Sequence, residues 1–155
     1  MTVFQVATSR GGDIARQLLG EFFNGLLVVD RWPAYRWVKR RQLCWSHLSR
    51  DMQGFVDRGG VGCQLGEKLL VQVHVMFHLW HRVRDKTLQR RTFQRRMKSV
   101  EQRILRLLRR AQLRAEPKTA GMAREILAQA DCLFVFVDTE GVEPTNSLFN
   151  FADRP

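Results

Sequence analysis

The chain has 155 residues and a hydrophobic fraction of 45%, which is enough for one domain with a core and excludes a disordered tail. Its 26 lysines and arginines against 15 aspartates and glutamates give a formal net charge of +11, so we expect a polyanionic partner, most commonly nucleic acid and less commonly an anionic membrane surface. No apolar run is long enough to span a membrane, the first residues do not form a signal peptide, and three widely spaced cysteines do not form a disulfide framework. These features predict a cytoplasmic protein without a membrane partner.

The N-terminal part of the chain alternates between strand and helix patterns. A short β-prone run covers residues 3–6, and a helix is predicted from Asp13 to Gly20. The continuous apolar run at residues 26–29 suits a strand buried on both faces. A further short strand is predicted at residues 41–45, followed by a helix at residues 47–56. This order of elements is typical of an α/β fold.

Two long amphipathic helices are predicted in the middle of the chain, with Asp85 to Gln89 as the turn between them. Apolar residues recur at spacings of three and four, so each set forms one stripe along a helix. The stripes consist of Leu65, Leu69, Val73, Met76, Trp80 and Val83, and of Phe93, Met97, Val100, Ile104, Leu107 and Ala111. Residues 63–116 therefore form a helical hairpin, which we expect to be inserted into the α/β core.

The C-terminal part of the chain is predicted to return to the α/β core. Pro117 ends the hairpin, a helix follows at residues 120–130, and the apolar run at residues 133–137 is β-like. Residues 1–62 and 117–155 then belong to one core. We expect this core to be truncated, because the chain begins in mid-sheet and stops before or within a final helix.

Asp30 is the residue on which the functional prediction depends. It follows the apolar strand at residues 26–29, and α/β sheets bind their ligands at the carboxyl ends of such strands. Phosphoryl transfer on DNA commonly uses two divalent cations held by carboxylates, and oxygen ligands suit Mg²⁺. The alternative is that Asp30 only begins the turn that ends at Pro33, where aspartate is common.

Basic residues dominate the chain between Arg82 and Arg114, where Asp85 and Glu101 are the only acids. This imbalance exceeds what a mixed-charge soluble surface needs, so phosphate contacts are favoured over a merely solvated face. Such contacts hold DNA without recognising its sequence. The residues predicted to contact DNA are Arg91, Arg95, Arg96, Lys98, Arg103, Arg106 and Arg110.

Cys44 and His47 form a Cys-x-x-His pair after the second predicted strand, and structural zinc is one interpretation. Further ligand types are available at Cys63, His74, His78 and His81. The alternative is that Cys44 belongs to the core, that His47 starts a helix and that the other histidines are packed or interfacial. The absence of a second close cysteine pair favours the alternative.

Several stretches together resemble the IS66 family of insertion-sequence transposases. Residues 25–35 run Gly-Leu-Leu-Val-Val-Asp-Arg-Trp-Pro-Ala-Tyr, and residues 42–50 run Gln-Leu-Cys-Trp-Ser-His-Leu-Ser-Arg. Residues 3–11 and the stretch Gly-Val-Glu-Pro-Thr-Asn at residues 141–146 are also similar to that family. Each piece alone is weak, but their joint occurrence at matching spacing is specific and covers nearly the whole chain.

The resemblance implies an incomplete ribonuclease-H-like mixed sheet with a catalytic set of Asp, Asp and Glu that uses Mg²⁺. Asp30 matches the second acid and would be a metal ligand. The first acid of the family lies upstream of this chain, and Asn150 occupies the position of the Glu. Asp153 could replace that Glu only with a local shift. Cys44 and His47 match an accessory pair that several transposase families with this fold carry near the DNA or the active site.

Two functional hypotheses follow from these features. The first is a truncated DNA transposase of the Asp-Asp-Glu type that is inactive alone, because one acid is missing and another is altered. The second is a small basic nucleic-acid-binding protein, such as a regulator that competes or assembles with a full-length transposase. A basic helical module for protein interaction is a third and weaker alternative. Metal-dependent strand nicking separates the first hypothesis from the second.

Overall fold

The computed structural model describes residues 12–20 and 22–146, and this part of the chain is mostly helical. Its elements are α1 (Gly12–Leu19), β1 (Leu27–Val29), β2 (Arg41–Leu43), α2 (Trp45–Asp57), α3 (Gly60–Arg84), α4 (Arg90–Arg114), α5 (Pro117–Leu127) and α6 (Val135–Asp138), with 3₁₀ turns at Pro33–Tyr35 and Ala130–Cys132. The strand predicted at residues 3–6 lies outside the described residues, as do Asn150 and Asp153.

Strands β1 and β2 form a parallel pair, in which Leu27 lies opposite Arg41 and Val29 lies opposite Leu43. In the described residues this pair is the whole sheet. A small parallel sheet among helices is compatible with the predicted α/β class. The prediction that β1 is buried on both faces is only partly right, because Val29 is buried while the two residues before it are half-buried.

The long helices α3 and α4 form the predicted hairpin. The turn lies between Arg84 and Arg90, in agreement with the predicted turn at Asp85 to Gln89. The predicted stripes face the core, although their members Val83 and Leu107 are only half-buried; in α4, Leu108 is fully buried instead. Leu108 lies four residues after the buried Ile104 and so continues the stripe, while Leu107 falls on its edge.

Helices α2 to α5 pack in chain order, each against the next. Gly66 lies where α3 approaches α2 most closely: a Cβ atom there would stand 2.8 Å from Val56 Cγ2 and 2.9 Å from the backbone oxygen of Met52. Pro117 does not simply end the hairpin, because it occupies the first turn of α5, where its missing N–H costs no helical hydrogen bond.

The strand predicted at residues 133–137 is wrong, because this segment follows the 3₁₀ turn at Ala130–Cys132 and contains the start of α6. Its backbone groups bond to side chains rather than to a neighbouring strand. Gln42 donates from Nε2 to the Leu133 carbonyl at 2.8 Å and accepts from the Phe136 N–H at 3.0 Å. The indole N–H of Trp45 donates to the same Leu133 carbonyl at 2.7 Å. Burial accounts for the apolar composition of the segment, and these side chains replace the hydrogen bonds of a sheet.

Helix α6 is held against the start of α4. The Arg90 guanidinium donates to the backbone oxygens of Phe136, Val137 and Thr139 at 2.7–3.1 Å. It also lies 5.7 Å from the ring centre of Trp80. The ring of Trp80 meets that of Phe136 edge-on at 5.3 Å, which continues the hairpin core under α6. In the described part of the chain, no helix combines the length and the apolar character that a membrane crossing requires.

Candidate active site

The carboxyl ends of β1 and β2 meet at one edge of the sheet, since the strands are parallel. Asp30 follows β1, and Cys44 follows β2. The backbone N–H of Cys44 donates to the Val29 carbonyl at 2.7 Å, which joins the two strand ends directly. Helix α2 begins at Trp45, so its N-terminus lies at this same edge. The geometry is that of a ligand site in an α/β sheet.

A third segment, distant in sequence, reaches the same edge. The backbone N–H of Trp45 donates to the Pro144 carbonyl at 2.9 Å. The thiol of Cys44 lies 3.0 Å from the side-chain oxygen of Asn146, to which it donates. Three of the stretches that carry the family resemblance are therefore adjacent in space: the one that contains Asp30, the one that begins at Gln42 and the one that ends at Asn146.

Asp30 itself is half-buried, and its Oδ1 accepts the backbone N–H of Trp32 at 3.0 Å. This hydrogen bond is that of an Asx turn, so the turn interpretation describes the local geometry correctly. It does not compete with the metal interpretation, because an ionised carboxylate offers two oxygens with about four lone-pair sites. One carboxylate can both define the turn and coordinate a cation.

Arg31 fixes the position of the turn that contains Asp30. Its Nε and one terminal nitrogen donate to Asp51 Oδ2 of α2 at 2.9 and 2.8 Å, and its other terminal nitrogen lies 3.1 Å from Glu125 Oε2 of α5. Burial raises the pKa of Asp51 above its ordinary value, and the Arg31 guanidinium, which favours the carboxylate, offsets only part of this rise. This network was missing from the sequence predictions, where the only signal was a basic residue directly after Asp30.

Cys44 and His47 show features of two interpretations: a core residue with a helix-start residue, and an accessory pair near the active site. Cys44 is buried, with 1% of its surface exposed, and it is the residue that precedes α2, as the core interpretation expects. His47 lies in the first turn of α2 and is half-buried. Its Nδ1 is buried and has no hydrogen-bond partner among the described residues. His47 is also close enough to Asp51 to lower the pKa of that carboxyl.

The alternative of a zinc site receives no support. Across residues 12–20 and 22–146, no three side chains of the His, Cys, Asp or Glu types lie in a group that could hold a metal ion. His74, His78 and His81 instead line an open groove of about 200 Å³ beside Ser49, Val73 and Phe77. The same finding applies to Asp30: the described residues give it no two further ligands for a cation.

The basic residues of α4 are displayed as predicted for a surface. All seven residues predicted to contact DNA are exposed. Arg90, which belongs to the same basic stretch of sequence, is instead committed to the backbone of α6. The structure thus separates a structural arginine from the exposed ones, which composition alone could not do.

The comparison with protein families identifies the chain. The family model described as Transposase IS66 family matches residues 1–153. The chain belongs to the IS66 transposase family. Neither the curated proteins nor the solved structures contain a match to it.

DNA is the substrate that the IS66 transposase family implies. The edge that carries Asp30, Cys44 and Asn146 is the candidate site for a reaction on it. The resemblance stated from the sequence is confirmed. The half-buried Arg31 and the buried Gln42 lie within the stretches that carry the resemblance, but the sequence did not predict their hydrogen bonds to distant parts of the fold.

Proposed function

We propose that this IS66 family chain has a ribonuclease-H-like core of the Asp-Asp-Glu type, in which Asp30 is the second acid. The observation that supports this assignment is the meeting of three family stretches at the carboxyl edge of a parallel strand pair, with Asp30, Cys44 and Asn146 as their edge residues. In such a site Mg²⁺ supplies Lewis-acid activation of water and stabilises the leaving oxygen of a DNA strand. A cytoplasmic location accords with that substrate.

We further propose that this chain does not cleave DNA by itself. The described residues contribute one carboxylate, Asp30, to the edge formed by the strand ends, and by themselves they do not form a cation site. By the family resemblance, Asn150 stands where the third acid is expected, and an amide has an oxygen but no charge. Asp153 is a displaced substitute at best. Further carboxylates, from outside the described residues or from another chain such as a second copy or a full-length transposase, would have to join Asp30 before any chemistry.

The alternative function is that of a small basic nucleic-acid-binding protein that regulates a full-length transposase. The exposed basic residues of α4 favour it, since binding needs no acidic set. The two functions are not exclusive in structure, but they differ in one outcome. A regulator binds DNA and never cuts it, with or without a partner chain.

Strand nicking tests the proposal that the chain is inactive alone. Supercoiled plasmid is incubated with the purified chain in Mg²⁺ or Mn²⁺, beside an EDTA control and the variant Asp30→Ala. We expect no nicking above the control for either protein. Metal-dependent nicking that Asp30→Ala abolishes would overturn the proposed inactivity while supporting the role of Asp30. Nicking that Asp30→Ala leaves unchanged would contradict the assignment of Asp30.

Binding of Mn²⁺ gives a readout of Asp30 that does not depend on activity. A single carboxylate binds a cation only weakly, but Mn²⁺ in transient contact with Asp30 should still broaden the backbone amide NMR signals of residues 30–32 and 44–47, since the two strand ends are in contact. The variant Asp30→Asn should lose this broadening. Asp57→Asn is the matched control, because Asp57 is an exposed carboxylate at the end of α2 and bonds only to the neighbouring Gln53 side chain at 2.9 Å. Equal broadening in both variants would refute metal binding at Asp30.

A further inference from the structure

The exposed basic residues of α4 form an ordered surface. With about 3.6 residues per turn, Arg91, Arg95, Lys98, Arg106 and Arg109 fall within roughly 80° of one another around the helix axis, on the side opposite the buried stripe. We call these five residues the central row. A second set of basic residues lies beside the central row, and its members fall within roughly 40° of one another around the helix axis. Its members are Arg96, Arg103, Arg110 and Arg114.

The central row is straight and nearly continuous. From Arg91 to Arg109 it extends about 27 Å, because an α-helix rises about 1.5 Å per residue. Gln102 and the exposed Leu113 are the uncharged residues on the same line. A length of this order spans about eight base pairs of duplex DNA, in which each strand carries one phosphate per ~3.4 Å of the helix axis.

The charge of this face is not neutralised within the described part of the chain. None of its nine basic side chains forms an ion pair there, in contrast to Arg31, which pairs with Asp51 and Glu125. The nearest acid on α4 is Glu101, which faces Asp138 of α6 and Lys98, and whose pKa is raised first by burial and then by Asp138. The face is therefore available as a whole to an external polyanion.

We propose that the central row of α4 is a docking surface for the phosphate backbone of duplex DNA. The proposal takes DNA as the substrate from the proposed function and adds where the duplex lies: along the exposed face of α4. A rigid, straight row of cations matches the regular phosphates of a duplex better than it matches the irregular backbone of single-stranded RNA. It lacks the large apolar side that helices lying on membranes insert, apart from Leu113.

Fluorescence anisotropy with a labelled duplex of random sequence tests the proposal. Measurements are made in EDTA, so that no chemistry is involved. Five phosphate contacts predict that the logarithm of the association constant falls with the logarithm of salt concentration with a slope of about −4.5, or about 500-fold weaker binding between 50 and 200 mM salt. The variant with Arg91, Arg95 and Arg106 changed to Glu should lower affinity strongly and make the slope shallower by about 3.

The matched control carries the same change in charge at other exposed positions. Lys68, Lys86 and Lys118, which lie on α3, in the following turn and on α5, are changed to Glu. Both triple variants lose six units of positive charge, so their long-range attraction to DNA falls equally, and only the central-row variant should lose the contacts. Circular dichroism melts of both variants establish that each remains folded.

Equal losses in the two triple variants would overturn the proposal, since binding would then reflect total charge alone. Tighter binding to an RNA hairpin or to vesicles with anionic lipid than to duplex DNA would also overturn it. A failure of the docking surface is thus distinguishable from a failure of the proposed chemistry, because the first is measured without metal and the second requires it.

Discussion

The side chain of Gln42 offers a sharp test of how the site region is held together. It is fully buried in the middle of β2, and its amide makes three hydrogen bonds: to the Leu43 and Leu133 carbonyls at 2.8 Å each, and from the Phe136 N–H at 3.0 Å. The change Gln42→Met keeps the approximate volume of the side chain and removes the amide. All of its effect should therefore come from hydrogen bonds rather than from a cavity.

The expected loss of stability follows from what remains bonded. The Phe136 N–H is buried and would lose its acceptor, at a cost of about 1–3 kcal/mol. The Leu133 carbonyl would keep its bond to the Trp45 indole, so its loss is small. Burying a thioether in place of an amide offsets about 1 kcal/mol. These terms leave an expected net loss of about 1 kcal/mol in the free energy of unfolding for Gln42→Met.

Urea unfolding followed by circular dichroism measures this loss. Gln72→Met is the matched control, because the Gln72 side-chain oxygen is buried with no hydrogen-bond partner among the described residues, so its removal should cost little. Combining Gln42→Met with Trp45→Phe removes both donors from the Leu133 carbonyl, and the double variant should lose about 1 kcal/mol more than the sum of the single variants. A loss equal to that of Gln72→Met, with additive double-variant energies, would refute the argument.

Three further predictions concern the scaffold of the site. Arg31→Met should destabilise the fold by about 2 kcal/mol at pH 7, measured by urea unfolding, because a poorly hydrated Asp51 carboxylate loses its counterion. Burial raises the pKa of Asp51, so the protonated carboxyl stabilises the fold at low pH, and this stabilisation is lost as pH rises through the raised pKa. The loss of stability caused by Arg31→Met should therefore shrink as the pH is lowered toward 3.8, the ordinary pKa of this carboxyl. A loss of stability that does not depend on pH would contradict this prediction. Gly66→Ala should destabilise by about 2 kcal/mol or more through its clash with α2, whereas Gly121→Ala, in open space on α5, should stabilise by about 0.5–1 kcal/mol, and thermal melts that rank them in the opposite order would contradict the packing.

The elements that were predicted correctly are those whose signal is local. The spacing of the apolar residues predicts the hairpin of α3 and α4, because a long helix that packs along one side must carry an apolar residue every three or four positions. The strand before Asp30 and the glycine at the end of α1, with a φ of 84°, are also local signals. The position of Asp30 after a strand was therefore predictable from the sequence alone.

The segment at residues 133–137 shows why other predictions fail. An apolar run records that a segment is buried, but not which groups satisfy its backbone. Here the partner is Gln42, which is 91 residues away from Leu133 in the chain, and its single amide takes the place of a neighbouring strand. A polar residue in a short strand carries no sign of such a distant role.

The candidate site likewise has residues that the sequence predicted and contacts that only the fold revealed. The amino-acid sequence identified Asp30, Cys44, His47 and the stretch that ends at Asn146, since each lies in a recognisable local motif. Only the tertiary structure brought them to one edge, with Cys44 and Asn146 in contact across 102 positions, and only it revealed that Arg31 ties this edge to α2 and α5. The physical reason is range: periodicity and motif are properties of neighbours along the chain, whereas ion pairs and buried hydrogen bonds form between residues that meet after the chain has folded.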